Sequence, residues 1–403
     1  MNKPQLIAPA GDWPSLVTAC ENGADAVYFG IKGMNMRNYA DNFDILELDK
    51  VMDFLREHKK KGYLALNTIV LNKELNKVKK ILTAAAAARV DAIILWDMAV
   101  LAMARELSLP VHISTQASVS NFQALKFFHQ AGAQRVVLAR ECTLKDIKQI
   151  ISRIKKEKIN CGIETFIHGA MCVSVSGRCF LSTYTAAKSA NRGQCEQFCR
   201  REYQIRDTNS DAEYVLGRDY VLSAKDLCAV EFLDKLIEAG IDAFKIEGRM
   251  RSAEYLNVTV SAYRQALDAF YDGKLTSSLK ANLKEKLGRA FNRGFSSGFY
   301  FGKPTAEFSR KNENMYEKLF LGEVLKFYKK INVAEVKLRT RPLKAGQEIL
   351  FIGKKTPAQI VVASELQQEH AFVHEAKKGE LVGIKLPFSV RPKDKVFIWQ
   401  EKC

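Results

Sequence analysis

The chain has 403 residues, of which 47% are apolar and 27% charged, a composition that fits a globular protein and excludes a disordered or fibrous one. Its 62 lysines and arginines outnumber 45 aspartates and glutamates, which gives a formal net charge of +17. An excess of this size is typical of proteins that bind a polyanion, although a basic surface without any partner remains an alternative.

The sequence predicts no targeting or membrane segment. Its first fifteen residues, MNKPQLIAPAGDWPS, lack the unbroken apolar stretch of a signal peptide. The most apolar later stretch, ILTAAAAARVDAIILWDMAVLAMA, is interrupted by Arg89, Asp91 and Asp97. We therefore expect a cytoplasmic protein without a membrane partner.

Short apolar runs separated by helical stretches recur along the first 250 residues. Strands that alternate with helices form parallel sheets, and eight such units close into a TIM-like (β/α) barrel. Nine candidates compete for eight places, so we expect one false candidate or an irregular barrel. The runs are LIAPA, AVYFG, YLALNTI, AIILWD, VHISTQ, RVVLARE, GIETFI, YVLSAKD and AFKIEG.

Many of these runs are followed by a polar residue. In a TIM-like barrel the carboxyl ends of the strands form one face, where catalytic groups collect. A single Asn or Asp in such a place more often caps the next helix, but the set as a whole favours a site. Its members are Asn67, Asp97, Gln116, Glu141, His168, Asp226, Glu247 and Arg249.

The pattern changes in the last third of the chain. Residues 253–290 show the helical spacing of apolar residues. After FNRGFSSGFYFGKPT, short alternating runs such as GEVLKFY and KVFIWQ predict a small all-β barrel. We therefore divide the chain into a barrel domain, 1–305, and a basic tail domain, 306–403. The tail contains 19 lysines and arginines against 12 aspartates and glutamates.

Four of the nine cysteines fall within a Cys-rich insertion at about 168–202, after the GIETFI run. Four converging thiolates can hold an iron-sulfur cluster, and the glycines at 169, 177 and 193 let the backbone turn tightly around it. Zinc is an alternative, although no Cys-x-x-Cys pair is present, and unliganded thiols are another. The four candidates are Cys172, Cys179, Cys195 and Cys199.

The other cysteines are weaker candidates. Cys228 ranks as a fifth ligand, and the rest have the pattern of scattered core or terminal thiols: Cys20, Cys142, Cys161 and Cys403. Nucleotide-driven chemistry has no support, because the chain contains neither a glycine-rich loop ending in GK[ST] nor a G-x-G-x-x-G after a strand.

The stretch ETFIHGAMCVSVSGRCFLS, from Glu164 to Ser182, resembles the signature of the collagenase-like peptidase family U-32. LIAPAG, GADAVYFG, SAKDL, KIEGRM and RGFSSGF resemble further segments of that family, so the resemblance covers nearly the whole chain. Within the family, the chain length, the Cys195-x-x-x-Cys199 pair and the β-rich tail are similar to those of prephenate-dependent tRNA hydroxylation proteins.

This resemblance implies that the chain modifies tRNA, by prephenate-dependent hydroxylation of the wobble uridine to 5-hydroxyuridine. It also implies that Cys172, Cys179, Cys195 and Cys199 ligate a 4Fe-4S cluster. The family name leaves a peptidase as an alternative, although no nucleophile or metal constellation in the sequence supports proteolysis. A non-catalytic RNA-binding or assembly factor is a third hypothesis.

The implied co-substrate, prephenate, is a dicarboxylate, and carboxylates are bound by arginine forks or by lysine. We expect substrate-binding residues at the strand ends: Arg37, Asn67, Gln116, Arg140, Glu141, Lys245 and Arg249.

For catalysis we expect Glu247 or His168 to move a proton and Asp226 to orient Lys225. The alternative is that the charged residues form structural salt bridges, pairing Arg140 with Glu141 or Lys245 with Glu247.

The RNA itself requires two kinds of contact. Phosphate contacts provide affinity, and the uridine must leave its stack before its ring carbon can react. We expect Tyr328 to offer a stacking ring and the tail to offer phosphate contacts through Lys329, Lys330, Lys337, Arg339, Arg341, Lys354 and Lys355.

Overall fold

The computed structural model describes residues 3–201, 203–206, 209, 213–216, 223–302, 313–369 and 371–402. These residues form a helix-wrapped barrel followed by a β-rich tail. Across the described ranges, no helix has both the length and the apolar character needed to cross a bilayer. The cytoplasmic location stays a prediction.

A closed ring of eight parallel strands forms the first part. Numbered along the whole chain, they are β1 (Gln5–Ala10), β2 (Ala26–Gly30), β3 (Lys61–Ala65), β4 (Ala92–Leu95), β5 (Val111–Ile113), β6 (Ala133–Val137), β7 (Gly162–Gly169) and β11 (Ala243–Ile246). Each pairs with the next, and β11 closes the ring by pairing with both β7 and β1. The predicted TIM-like barrel is therefore confirmed.

One of the nine candidate strands was false. YVLSAKD occupies residues 220–226, of which 220–222 lie outside the described residues, and only its last residue enters a strand, β10 (Asp226–Cys228). This strand runs antiparallel to β7 and parallel to β12 (Phe295–Ser296), so it is an addition to the ring. Before it, β8 (Tyr203–Arg206) and β9 (Glu213–Leu216) pair with each other.

Helices surround the ring and follow most of its strands. The described residues contain α1 (Trp13–Glu21), α2 (Leu48–Glu57), α3 (Leu75–Ala87), α4 (Met98–Glu106), α5 (Phe122–Gln130), α6 (Leu144–Lys156), α7 (Leu181–Ala186), α8 (Leu233–Glu238), α9 (Ala253–Tyr271) and α10 (Ser277–Gly288). The last two confirm the helical region predicted over 253–290.

Side chains at the strand ends cap several of these helices. Asp12 accepts a hydrogen bond from the backbone N–H of Ser15 at the start of α1. Asp97 accepts from the N–H of Ala99 at 2.9 Å, so it caps α4 and does not contribute to the site predicted at the strand ends. Thr143 forms a reciprocal capping box with Asp146 at α6.

A buried ion pair spans the junction of β7 and β11 inside the barrel. Lys245 Nζ lies 2.7 Å from Glu164 Oε1, and both side chains are almost fully buried. Arg135 Nη1 lies 3.6 Å from the other carboxylate oxygen of Glu164. The ammonium group of Lys245 is also 4.2 Å from the centre of the Tyr28 ring. Each charge is therefore compensated, as a buried charge must be.

The tail is an antiparallel, all-β unit with its own apolar core. One eight-stranded sheet has the order β17-β16-β22-β13-β14-β21-β18-β19, and β15 pairs with β20. The strands are β13 (Tyr316–Tyr328), β14 (Val333–Leu338), β15 (Leu343–Lys344), β16 (Glu348–Ile352), β17 (Gln359–Val362), β18 (Leu366–Gln368), β19 (Ala371–Val373), β20 (Glu375–Ala376), β21 (Leu381–Lys385) and β22 (Lys395–Glu401).

The tail packs against the outside of the barrel through a small apolar cluster. Ala253 of α9 is buried there with Leu350, Ala358 and Trp399 of the tail. The backbone N–H of Ala358 donates to the hydroxyl of Thr18 on α1, at 2.8 Å. The predicted boundary at 305/306 falls in 303–312, outside the described residues, and stays a prediction.

We predict that Glu164→Gln lowers the free energy of unfolding at pH 7 by about 3 kcal/mol, because it leaves Lys245 buried without a negative partner. The neighbouring Lys245 and Arg135 overcome the effect of burial and hold the pKa of Glu164 below its ordinary 4.5. Ionised Glu164 therefore stabilises the fold at pH values above 4.5, and this stabilisation is lost as the pH falls through the lowered pKa of its carboxyl group. Urea denaturation measures both effects.

The matched control is Glu157→Gln, which removes a carboxylate that pairs with Lys126 and Arg153 on the outer surface. Exposed pairs contribute little, so its denaturation midpoint should stay close to that of the native protein. Equal losses for the two variants would contradict a special role for the buried pair.

Candidate functional site

A cavity of about 350 Å³ opens at the carboxyl end of the barrel strands. The segments after the strands form its floor, and the loop between β7 and α7 forms much of its wall. All seven predicted substrate-binding residues line it, together with Glu247: Arg37, Asn67, Gln116, Arg140, Glu141, Lys245 and Arg249. The structure thus brings together residues that are up to 212 positions apart in the sequence.

Three predicted catalytic residues lie outside the described lining of this cavity. His168 is buried behind it, with Nδ1 3.2 Å from the hydroxyl of Tyr263, and burial lowers the pKa of His168 to about 3. Asp226 is buried with Oδ1 3.6 Å from Arg293 Nη1, and burial raises the pKa of this carboxyl group. Lys225 precedes it at the start of β10.

Glu247 is the centre of a cluster of charged groups in the cavity. Its Oε1 accepts hydrogen bonds from Arg37 Nε at 3.1 Å and Nη2 at 2.9 Å. Its Oε2 lies 3.4 Å from the hydroxyl of Tyr28. Arg249 is held nearby, since its Nη1 donates to Asn35 Oδ1 at 3.0 Å.

The charge state of Glu247 follows from these neighbours. Burial alone would raise its pKa, but the guanidinium groups of Arg37, Arg140 and Arg249 lower the pKa to about 2. A carboxyl group with this pKa stays ionised at neutral pH, where it acts as a fixed negative charge. The three arginines and this carboxylate together leave two positive charges facing the cavity.

Arg140 has unused hydrogen-bonding capacity. Its Nη1 donates to the backbone carbonyl of Ala170 at 2.6 Å, and its guanidinium carbon lies 4.0 Å from the centre of the Phe166 ring. Its Nε is buried and has no hydrogen-bond partner within the part of the chain that the structure describes. Burial lowers the pKa of Arg140 from its ordinary value. Such a group gains from binding an anion.

The pairing of Lys245 differs from the one that we considered. A salt bridge between Lys245 and Glu247 is the alternative that the sequence leaves open. In the structure the ammonium group of Lys245 donates a hydrogen bond to Glu164 on the neighbouring strand. Glu164 and Lys245 are 81 residues apart in the sequence, and only the closure of the ring brings β7 next to β11. No local sequence pattern therefore indicates this pair. Lys245 still lines the cavity.

Amide and hydroxyl groups form another part of the lining. Asn67 Nδ2 lies 3.4 Å from Gln116 Oε1, which also accepts a hydrogen bond from the hydroxyl of Ser114. Asn67 Oδ1 accepts from the backbone N–H of Met36 at 3.2 Å. The amides thus hold the β2 and β5 sides of the cavity together. Glu141 lies at the exposed edge.

The Cys-rich loop is fixed to the barrel at several points. The carbonyl of Gly193 accepts from the N–H of Asn38 at 3.1 Å, and Arg192 pairs with Glu74. Gly193 has a φ of +85°, and an added Cβ would lie 2.2 Å from the carbonyl oxygen of Asn35. A side chain at this position would therefore force the loop away from the barrel.

The four predicted ligand cysteines all line the cavity, and all four are free thiols: Cys172, Cys179, Cys195 and Cys199. Burial raises the pKa of Cys199, the neighbouring Arg200 lowers it, and the other three thiols raise it. Backbone N–H groups point at two of them, from Ser174 to Cys172 at 3.4 Å and from Leu181 to Cys179 at 3.3 Å.

The four thiols can be compared with what a zinc ion and a 4Fe-4S cluster each require. Four thiolates on one zinc ion at 2.3 Å would bring the sulfurs within about 4 Å of each other. Among the described residues, no three His, Cys, Asp or Glu side chains form a group that could hold a metal ion. A four-iron cluster binds each thiolate to a different iron and needs a wider ring of sulfurs. Four free thiols around a shared cavity offer the donor type that such a cluster takes, one sulfur for each iron.

Cys228 does not belong to this set. Its thiol is buried behind β7, where it accepts a hydrogen bond from the hydroxyl of Tyr263 at 3.7 Å. Cys228, the candidate fifth ligand, is therefore not part of the described cavity lining. It lies on β10, which pairs with the end of β7 that leads into the Cys-rich loop. Cys20, Cys142 and Cys161 are buried core thiols, as expected, and Cys403 lies outside the described residues.

Sequence reasoning missed three arginines of the lining, Arg200, Arg251 and Arg293. Arg200 follows Cys199 directly, and Arg251 lies two residues after Arg249, so proximity to predicted site residues was an available signal. Arg293 comes from beyond α10, and nothing in its local sequence distinguishes it. In total, six arginines and one lysine line the cavity against two glutamates.

The predicted phosphate-binding residues of the tail fall into two groups. Lys329 and Lys330 follow β13, and Lys354 and Lys355 follow β16; these strands run in the same direction, so both exposed turns lie at one end of the sheet. Arg339 pairs with Glu323 farther along the sheet. Lys337 donates to the carbonyl of Gly379, and Tyr328 donates to Glu335. Arg341 follows β14.

Comparison with known proteins identifies the family to which the sequence is similar. Residues 11–310 match the model of peptidase family U32. An uncharacterized protease of Methanocaldococcus jannaschii is 42% identical over 98% of both chains. A collagenase of Porphyromonas gingivalis is 36% identical over 100% of this chain and 99% of its own.

A third relative carries a different name. tRNA hydroxylation protein P1 of Bacillus subtilis is 40% identical over 66% of this chain and 64% of its own. The family model covers the barrel from α1 onwards, the Cys-rich loop and the helices that follow. With a match over about three quarters of its length, the chain belongs to peptidase family U32.

Proposed function

We propose that this protein is an RNA-modifying enzyme that hydroxylates the wobble uridine of tRNA to 5-hydroxyuridine, in a reaction that requires prephenate and a 4Fe-4S cluster. The observation that carries the proposal is the placement of four free thiols around one arginine-rich cavity at the carboxyl end of a TIM-like barrel. The name of the Bacillus subtilis relative supports an RNA substrate.

The electrostatics of the cavity support a dicarboxylate as the small substrate. Arg37, Arg140 and Arg249 carry three positive charges around the single carboxylate of Glu247. The remaining two charges match the two carboxylates of prephenate, and guanidinium groups bind carboxylates through paired N–H donors. Glu247 accepts hydrogen bonds from Nε and Nη2 of Arg37, which fixes the orientation of this guanidinium group and leaves only its remaining Nη N–H groups for the substrate.

The same contacts assign individual roles. Glu247 serves as a charge partner that positions Arg37, and a pKa of about 2 leaves it without a proton to donate at neutral pH. Arg140 lines the cavity and offers its guanidinium group to one substrate carboxylate. Asn67 and Gln116 offer amide groups to the hydroxyl of the substrate or to the base.

The four cysteines of the loop would hold the cluster. A bound 4Fe-4S cluster supplies one-electron redox chemistry and orders the segment that ligates it. The N–H groups of Ser174 and Leu181 stabilise the negative charge of the ligating sulfurs. The exposed turn lysines of the tail would contact tRNA phosphates while the uridine is flipped out of its stack.

A peptidase is the second candidate, because the Porphyromonas gingivalis relative named a collagenase matches the entire chain. Proteolysis by a serine or cysteine nucleophile needs a nearby general base, commonly histidine. Within its described lining the cavity contains neither histidine nor aspartate, and His168 lies behind the lining. The cavity therefore supports an RNA-modifying enzyme better than a peptidase.

We predict that Cys172→Ala abolishes the modification, because three thiolates cannot hold a four-iron cluster as firmly as four. tRNA nucleosides from cells that carry only the variant should lack 5-hydroxyuridine, as measured by mass spectrometry. Protein purified without oxygen should also lose iron and visible absorption relative to the native chain.

Cys161→Ala is the matched control, since this buried thiol lies outside the cavity lining and should leave the nucleoside and the iron content unchanged. Normal 5-hydroxyuridine levels with Cys172→Ala would reject the proposal. Peptide cleavage by iron-free native protein would favour the peptidase instead.

We predict that Arg140→Lys weakens prephenate binding by about tenfold, because lysine keeps the charge but loses the forked N–H donors. Titration calorimetry with protein purified without oxygen measures the dissociation constant. Arg56→Lys is the control, because Arg56 pairs with Asp53 on the outer surface of α2 and should change nothing. An unchanged constant for Arg140→Lys would remove Arg140 from the substrate site.

A further inference from the structure

Two aromatic side chains of the Cys-rich loop project into solvent beside the cavity. Phe180 directly follows Cys179 and is 62% exposed, and Tyr184 on α7 is 85% exposed. Their ring centres lie 6.1 Å apart, and the N–H of Tyr184 donates to the carbonyl of Phe180, so one turn of helix fixes their spacing. We call these two residues the aromatic pair.

The position of the aromatic pair is unusual for large apolar groups. Its neighbours Cys179, Leu181 and Ser182 all line the cavity, so the pair lies at the rim where four thiols are gathered. Adjacent exposed aromatic rings form a contiguous apolar patch, and such patches commonly mark binding sites. The pair therefore marks the entrance of the site rather than a distant face.

The charge of the same loop selects the kind of partner. Residues 169–201 contain five lysines and arginines and one acidic residue, Glu196. Lys188 pairs with Glu196 and Arg192 with Glu74, which leaves three arginines outside these two salt bridges. Arg178 lies beside the aromatic pair in sequence, and its guanidinium carbon is 5.8 Å from the centre of the Trp96 ring. Positive charge interleaved with exposed rings is the arrangement by which proteins bind single-stranded nucleic acid: the cations contact phosphates and the rings stack on bases.

We propose that Phe180 and Tyr184 form a stacking platform for unpaired bases of the RNA substrate, next to the base that enters the cavity. This inference rests on the proposed function and adds the surface that holds the strand. A protein partner is the competing occupant, but a loop with an excess of positive charge complements the phosphate backbone of a single strand. Stacking is tolerant of sequence, so the platform would hold the strand without reading it.

Binding of a ten-nucleotide oligouridine to the full-length protein, purified without oxygen, tests the platform. Phe180→Ala and Tyr184→Ala should each weaken binding about tenfold in fluorescence anisotropy, because each removes one stacking surface. The dependence of affinity on salt should stay unchanged, since neither substitution removes a phosphate contact. Arg178→Gln should instead flatten that dependence.

Two further variants separate stacking from folding. Tyr184→Phe keeps the ring and should keep native affinity for the oligouridine. Phe127→Ala removes a ring on α5 that is 60% exposed, close to the value for Phe180, but lies outside the cavity lining, and it should have no effect. A duplex of oligouridine with oligoadenosine should bind without sensitivity to either substitution of the aromatic pair.

The outcomes distinguish the platform from the proposed function. If the native protein binds oligouridine and both alanine variants bind it equally well, the platform is wrong, while the loss of 5-hydroxyuridine in Cys172→Ala cells would still support the RNA-modifying enzyme. If the native protein binds neither oligouridine nor tRNA, the proposed function itself is contradicted.

Discussion

The closure of the barrel between β7 and β11 is the constraint on which the rest of the structure depends. The two strands pair directly, and the buried contact of Glu164 with Lys245 crosses the same junction. Both strands then continue into the site: β7 leads into the Cys-rich loop, and β11 leads to Glu247 and Arg249. The geometry that closes the ring therefore also places the thiols beside the arginines.

An excess of positive charge is the chemical character that this geometry creates. Isolated arginines at a protein surface are hydrated and repel each other weakly, but six arginines and a lysine around one cavity need compensation. Glu164 neutralises Lys245, and Glu247 holds Arg37, while Asp226 lies behind Arg293. What remains is unneutralised charge directed at the cavity, which suits an anionic substrate and an RNA backbone.

Particular residues show why some of the predicted site residues line the cavity and others do not. Asn67, Gln116, Arg140 and Glu247 were recognised because the carboxyl ends of parallel strands meet at one face, a rule that needs only the strand positions. Asp97 and His168 satisfied the same rule and yet lie elsewhere: one caps a helix, and the other points to the back of β7 towards Tyr263. Alternation along a strand decides on which side a side chain lies, and a shift of one residue reverses it.

The sequence by itself determined the alternation of strands and helices, the change to a β-rich tail and the grouping of four cysteines, because these depend on local patterns. Only the tertiary structure decided which eight of the nine runs join the ring, that Lys245 pairs with Glu164, and that Arg293 reaches the cavity. These contacts join residues far apart in the chain, and their energies depend on burial and distance, which no local pattern contains.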